Sequence, residues 1–330
     1  MTWDIAFLGT FHPAVPTLRE LVERNWVRIV ILPRSAGEKN EALIRIAEAM
    51  GVPFSYQLED VERYPIDLLL AANYPKIVPS KYLERYPCVN THWSLLPKYR
   101  GVHPTAWALL NAEEEIGLSV HWMTEEFDAG DILAQRSVTV RDDQTLVDVH
   151  EQLAELQADA VLGLLESGLR AEDWVATPQQ EKAATYVPKR VPEDGIIDWN
   201  ASADLISRKV RALPPPVYPG AFTHRGDDTI VIWEATPAAC PRYHATVGQV
   251  VRVIRGCGAW VKTGDTCLEV LRAEIAGDGA GPIRADLLLR RGDKLGYFPQ
   301  LELARLRNEV GRLKAAIAGH QQQEAGNRSG

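Results

Sequence analysis

Apolar residues recur along this chain in two alternating ways, as short unbroken runs and as positions three or four apart. Residues 4–9 form an apolar run closed by Gly9, and 27–32 form another that stops at Pro33. Such runs suit strands buried on both faces of a parallel sheet. Between them Leu18, Leu21 and Val22 fall at helical spacing, and Leu43, Ile44, Ile46 and Ala47 repeat it before a third run at 67–72. The alternation predicts βαβ units and an α/β, Rossmann-like fold, with ligands at the carboxyl ends of the strands. A helix is predicted over 145–166, because Leu146, Val149, Leu153, Leu156 and Ala160 share one face.

The pattern changes in the second half. After a loop-like stretch at 173–192 and a turn at Asp194-Gly195, a helix over 205–212 stops before Pro214-Pro215-Pro216, which cannot continue it. Segments 229–234, 247–254, 259–262 and 267–273 are rich in β-branched residues and separated by Gly, Pro and Asp, so a small β-rich domain is expected. Leu303, Leu306, Val310, Leu313 and Ile317 then alternate steps of three and four. That seam of about two heptads fits a terminal helix packed on its own domain or one that pairs two chains into a homodimer. The tail after His320 is expected to be disordered. The expected division is 1–190, 191–222 as a linker with a helix, 223–298 as the β-rich domain, and 299–330 as the terminal helix and tail.

Composition narrows this picture. With 330 residues, two or three units are expected, since single cores stop growing near this size. A formal net charge of -8 disfavours non-specific attachment to nucleic acid or anionic membranes. The four cysteines form no C-x-x-C pair and are expected to be reduced, and the histidines show no metal spacing. No basic and then apolar leader opens the sequence and no run of about 18 apolar residues occurs, so a cytoplasmic protein without a membrane span is expected. Gly9-Thr10-Phe11-His12 is not G-x-G-x-x-G, which argues against a dinucleotide cofactor.

Candidate chemistry concentrates between residues 88 and 135. Asn90 and His92 alternate by two at a strand end, so they point to one face, and Asp128 lies in the turn Glu126-Phe127-Asp128-Ala129-Gly130-Asp131. A carboxylate beside His92 is expected to favour the imidazolium. No activated hydroxyl or thiol accompanies the trio. It suits direct acyl transfer, with Asn90 and His92 steadying an oxyanion while a base takes the amine proton. As bare residue types, such a trio is structural more often than catalytic.

The stretch VNTHWSLLPKYRGVHPTAWALLNAEEEIGLSVHWMTEEFDAGDILAQ resembles the signature of folate-dependent formyltransferases: Asn-x-His, Ser-Leu-Leu-Pro, Arg-Gly, Pro, Gly-x-Ser-x-His and Asp-x-Gly. The resemblance implies that 1–190 is the catalytic domain and that Asn90, His92 and Asp128 are catalytic. It implies 10-formyltetrahydrofolate as the formyl donor, with no metal. The folate ring is expected against Tyr74, Ile77 and Val78 and the backbone of Met123, Thr124, Glu125 and Glu126. By the same resemblance the β-rich region is expected to be an OB-like barrel. Trp93, Arg100 and Trp107 are candidates for the acceptor side, although large aromatics beside such a strand are usually packing. His121 is read as structural.

Resemblance also bears on the acceptor. The tRNA-formylating branch carries a basic, Gly-rich insertion after the second strand, whereas here Leu32-Pro33-Arg34-Ser35-Ala36-Gly37-Glu38-Lys39-Asn40 passes straight toward a helix. Pro97 to Pro104 with Trp107, Asp194 to Trp199, and Tyr218-Pro219-Gly220-Ala221-Phe222 look more like the branch that formylates amino-sugar nucleotides. An amino-sugar nucleotide is therefore the expected acceptor. Methionyl-tRNA, an amine of a siderophore or other secondary metabolite, hydrolysis by water, and a folate-binding module without catalysis are the alternatives.

Overall fold

The computed structural model describes residues 2–215, 220–296 and 306–314. Contacts divide the chain into two compact units, Met1–Ile196 with Asp204–Ala221, and Ile197–Ala203 with Phe222–Gly330.

The first unit opens with β1 (Ile5–Gly9), α1 (Val15–Glu23), β2 (Val27–Ile31), α2 (Glu41–Ala49), β3 (Phe54–Ser55), β4 (Leu68–Ala72), α3 (Ser80–Leu83) and β5 (Cys88–His92). It continues through β6 (Arg100–Gly101), α4 (Pro104–Leu110), β7 (Glu115–Trp122), β8 (Ile132–Thr139), α5 (Leu146–Leu165), β9 (Tyr186–Val187) and α6 (Ala203–Ala212), the last beginning in the second unit. Seven strands form one sheet in the order β3-β2-β1-β4-β5-β7-β8. β3 through β5 are parallel, while β7 and β8 run antiparallel. This is the expected Rossmann-like sheet with an antiparallel edge.

Side-chain alternation divides the core between the two faces of the sheet. Ile5, Phe7, Leu68, Leu70 and Val89 point into the larger cluster, with Leu18 and Leu21 of α1 and Val149, Leu153 and Val161 of α5. Ala6, Leu8, Leu69, Ala71 and Cys88 point the other way, toward Val61, Val78 and Tyr82. The start of α5 is fixed by Thr145, whose hydroxyl accepts from Asp148 N while its own N–H donates to Asp148 Oδ2 at 2.7 Å. Such a reciprocal cap is worth about 1 kcal/mol.

A buried glutamine ties this helix to the sheet. Gln157 of α5 accepts at Oε1 from Thr91 Oγ1 and Trp93 Nε1, both at 2.8 Å, and donates from Nε2 to Thr17 Oγ1 at 3.0 Å. Thr91 and Trp93 thus point at α5, and their even-numbered neighbours Asn90 and His92 point at the opposite face. This corrects the placing of Trp93 on the acceptor side. Its indole is buried in the core against His150, with ring centroids 4.9 Å apart, and offers no surface to a substrate.

The second unit holds β10 (Ala221–Arg225), β11 (Asp228–Pro237), β12 (Val250–Ile254), β13 (Gly258–Lys262), β14 (Cys267–Ile275), β15 (Ile283–Arg284) and α7 (Ala285–Leu288). The strands form a sheet in the order β10-β11-β14-β13-β12, with β15 on β14, and the pairs β11–β14, β12–β13, β13–β14 and β14–β15 are antiparallel. Ile230, Ile232, Val250, Val261, Leu268 and Val270 are buried. β10 is a strand that the apolar pattern did not reveal. Residues 306–314 are helical and expose Leu306, Val310 and Leu313. Leu303 and Ile317 of the same seam, the tail after His320, and Pro216, Tyr218 and Pro219 lie outside the described residues.

Replacing Gln157 by Leu strands one buried donor, Trp93 Nε1, while Thr91 Oγ1 keeps Ala71 O at 3.3 Å. Loss of about 1–3 kcal/mol of stability is expected. The check is the urea midpoint of Gln157→Leu against wild type at equal m-value.

Candidate active site

Residues of β5 start the site. The strand pairs in parallel with β4 on one side and antiparallel with β7 on the other, in a register that sets Asn90 opposite His121 and His92 opposite Ser119. Directly opposed residues share a face, so Asn90, His92 and His121 project together. Asn90 Nδ2 donates to His121 Nε2 at 3.2 Å. His121 Nδ1 lies 2.8 Å from Trp122 O, an acceptor only, so Nδ1 carries the proton and Nε2 is the acceptor.

Asp128 arrives on the turn between β7 and β8. Its backbone is left-handed at φ 52°. The turn closes tightly enough that a Cβ on Gly130 would lie 1.9 Å from Trp122 O, which only glycine avoids. The carboxylate accepts from Gly101 N at 2.9 Å on Oδ2 and from Asn90 Nδ2 at 3.4 Å on Oδ1. It faces His92 Nδ1 at 3.5 Å and His121 Nε2 at 3.6 Å. Gly101 reaches this place because β6 pairs in parallel with β9, and a side chain there would collide with Val187 O at 2.3 Å.

Electrostatics follow from burial. The Asp128 side chain is 11% exposed, and burial alone would push its carboxyl up. The neighbouring His121 and His92 rings and the Gly101 N–H outweigh that and bring it down to about 2. Asp128 is therefore ionised at neutral pH. For His92 the balance goes the other way. Burial lowers its pKa and prevails over Asp128 and the Tyr99 carbonyl, which favour the charged ring, while His121 adds to the lowering. The expected imidazolium is thus corrected to a neutral ring. Because Nε2 lies 2.8 Å from Tyr99 O, its proton sits there and Nδ1 is the acceptor.

The other candidate residues are distributed unevenly. Segment 74–80 and segment 123–128 are brought together over the face that carries Asn90. Tyr74 and Met123 pack against the cluster of Val78, Tyr82 and Cys88, and Ser80 Oγ donates to Glu125 Oε1 at 2.6 Å. Met123 N bonds Cys88 O, Thr124 Oγ1 bonds Glu126 O, and Ile77 is 70% exposed. Arg100 is placed elsewhere. Its guanidinium is buried and filled by Gln179, Glu181 and Tyr186, so it does not offer itself to an acceptor. Trp107 is half-buried, with Nε1 donating to Pro188 O at 3.0 Å. Among the described residues, no group of three or more His, Cys, Asp and Glu is arranged to hold a metal ion.

This geometry agrees with what the chain resembles in sequence. Residues 55–165 match the family described as formyl transferase, and residues 189–285 match the formyl transferase C-terminal domain. A methionyl-tRNA formyltransferase of Halalkalibacterium halodurans is 31% identical over 291 residues, which span 83% of this chain and 90% of that one. The chain belongs to the folate-dependent formyltransferase family. The fold of this formyltransferase recurs in HypX from Aquifex aeolicus in complex with tetrahydrofolic acid, at TM-score 0.64 and 20% identity over 90% of this chain. The chain spans about half the length of HypX, 51%. It recurs also in the N-formyltransferase from Helicobacter canadensis in complex with folinic acid and dTDP-3-aminofucose, at TM-score 0.61 and 17% identity, covering 82% of this chain and 99% of that one.

Sequence reasoning missed four groups that contact Asn90, His92 or Asp128: His121, Gln179, the Gly101 N–H and the Tyr99 carbonyl. His121 was visible as a residue but was read as structural. The two backbone groups have no sequence signal, and Gln179 lies in a stretch that reads as loop.

The Asp128 shift has a defined pH consequence. Its folded-state value lies below the ordinary carboxylate value of about 4, so the ionised group stabilises the fold above about pH 4, and that contribution disappears as the pH falls toward 2. Unfolding free energies of wild type and Asp128→Asn measured from pH 7 to pH 2 should therefore converge as the solution is acidified. A gap that stays constant over this range contradicts the assignment.

Proposed function

We propose that this formyltransferase moves the formyl group of 10-formyltetrahydrofolate onto a primary amine by direct attack at Asn90, His92 and Asp128, and that the amine belongs to methionyl-tRNA. The observation that carries the chemistry is the convergence of an amide, at 3.4 Å, and a neutral imidazole, at 3.5 Å, on one ionised carboxylate. In this reading the amine nitrogen attacks the formyl carbon. The carbonyl oxygen becomes an oxyanion, and a donor from the partly exposed Asn90 turns from Asp128 toward it. The proton leaving the amine passes through the Asp128–His92 pair to the folate nitrogen as its bond to the formyl carbon breaks. The products are a formamide and tetrahydrofolate.

Tyr74, Ile77, Val78, Met123, Thr124, Glu125 and Glu126 are assigned to the folate, and Trp107 to the acceptor side. Methionyl-tRNA is supported by the names of relatives that align over most of their length, such as the Halalkalibacterium halodurans protein. Catalysis is assigned to 1–190, with 191–222 as a linker, 223–298 as an OB-like domain and 299–330 as a terminal segment. The exposed Leu306, Val310 and Leu313 support a homodimer. A cytoplasmic location completes the reading. Among the described residues no helix is long and apolar enough to cross a membrane.

One observation favours a second acceptor, an amino-sugar nucleotide. Arg34–Asn40 is a short 3-10 segment carrying Arg34 and Lys39 against Glu38, where the tRNA-formylating branch has a basic insertion. The name of the Helicobacter canadensis structure associates this fold with dTDP-3-aminofucose.

Purified protein and 10-formyltetrahydrofolate incubated with methionyl-tRNA, with dTDP-3-aminofucose and with water alone separate the readings. Formyl-methionyl-tRNA is the expected product. Transfer only to the sugar selects the second acceptor, and tetrahydrofolate release in water alone selects a hydrolase. With the working acceptor, Asn90→Ala and His92→Ala are expected to lose about 10²–10³ in kcat while remaining folded. Near-normal rates in these and in Asp128→Asn refute the site.

A further inference from the structure

Asp128 holds a left-handed backbone, which non-glycine residues adopt uncommonly and aspartate more readily than most. Gln179 braces it. Its Nε2 donates to Asp128 O at 2.8 Å and to Gly130 O at 2.7 Å, so one amide nitrogen grips the turn on both sides of Ala129. Its Oε1 accepts from Arg100 Nε at 3.2 Å and Nη2 at 2.9 Å. The Arg100 side chain is 1% exposed and is held in turn by Glu181, whose Oε1 and Oε2 each lie at 2.9 Å, and by the Tyr186 hydroxyl at 2.9 Å. The residue after Arg100 supplies the N–H that fixes Asp128 Oδ2. One short strand, β6, therefore sets the Asp128 carboxylate directly and the Asp128 backbone through Gln179.

A neutral amide suits this place. It must accept from a guanidinium with one end and donate to two carbonyls with the other. A glutamate would satisfy Arg100 but set an anion against the carbonyls of Asp128 and Gly130. We infer that Gln179 is a positioning residue for formyl transfer, acting through Asp128 and held in register by Arg100. This rests on the reading of Asp128 as catalytic.

The test is a double-mutant cycle of Gln179→Met and Asp128→Asn, read as tetrahydrofolate release from 10-formyltetrahydrofolate with methionyl-tRNA, or with dTDP-3-aminofucose in its place if the tRNA is not formylated. Methionine keeps the length of glutamine without its amide. In the wild-type background Gln179→Met is expected to lower kcat/KM about 30-fold, the scale of a small misplacement of a reacting group. In the Asp128→Asn background the same change is expected to cost less than about 3-fold, since the residue it positions is already disabled. A purely structural glutamine costs the same in both backgrounds, and that result, or no loss in the first, overturns the inference. Near-normal activity of Asp128→Asn itself overturns the catalytic reading instead. If Asp128→Asn shows no turnover at all, a crystal structure of Gln179→Met decides. Asp128 leaving its left-handed backbone, with its contact to Gly101 N broken, supports the inference; an unmoved Asp128 overturns it.

Discussion

A buried carboxylate is the constraint around which the first unit is organised. An ionised group removed from water is costly unless hydrogen bonds and charge compensate it. Asp128 accepts hydrogen bonds from the Gly101 N–H and the Asn90 amide and lies beside two histidine rings. These groups come from three strands, β5, β6 and β7. The carboxylate can remain ionised only when β5, β6, β7 and the turn at 123–131 are all in place, so the chemistry of the site and the folding of the sheet are one requirement.

Neutrality of His92 follows from the same enclosure. A surface histidine beside an aspartate would be charged, but here the loss of water outweighs the attraction. The pair therefore rests as anion and neutral base, which leaves it able to accept a proton. An imidazolium already bonded to Asp128 would have no such capacity. The fixed proton on Nε2, directed at Tyr99 O, also decides which nitrogen faces the carboxylate.

Much of this was legible in the chain. Unbroken apolar runs revealed β1, β2 and β4, and the period of two along Asn90, Thr91 and His92 put the amide and imidazole on one face. The same period, carried one step further, places Trp93 with Thr91 on the other face, and a strict reading of alternation removes it from the acceptor side. What periodicity cannot supply is the non-local register. Nothing between residues 92 and 119 announces that β7 returns antiparallel and sets His121 opposite Asn90. Burial is equally hidden, so the sign of the His92 shift was out of reach. Arg100 was visible, but its partners Gln179 and Glu181 lie about 80 residues on, in a stretch without pattern. The acceptor belongs to a different category, since the residues that receive it have no shared spacing.

β5 is two-sided in a way that matters for ligand binding. Its odd residues are anchored to α5 by Gln157, and its even residues carry the groups proposed to react. A strand clamped from behind has no freedom to withdraw when a pterin enters or a formylated product departs. The segments at 74–80 and 123–127 over that face bear the solvent-facing Ile77 and Phe127. The groups proposed to react therefore stand on a floor fixed from behind, and a ligand must fit that floor as it is.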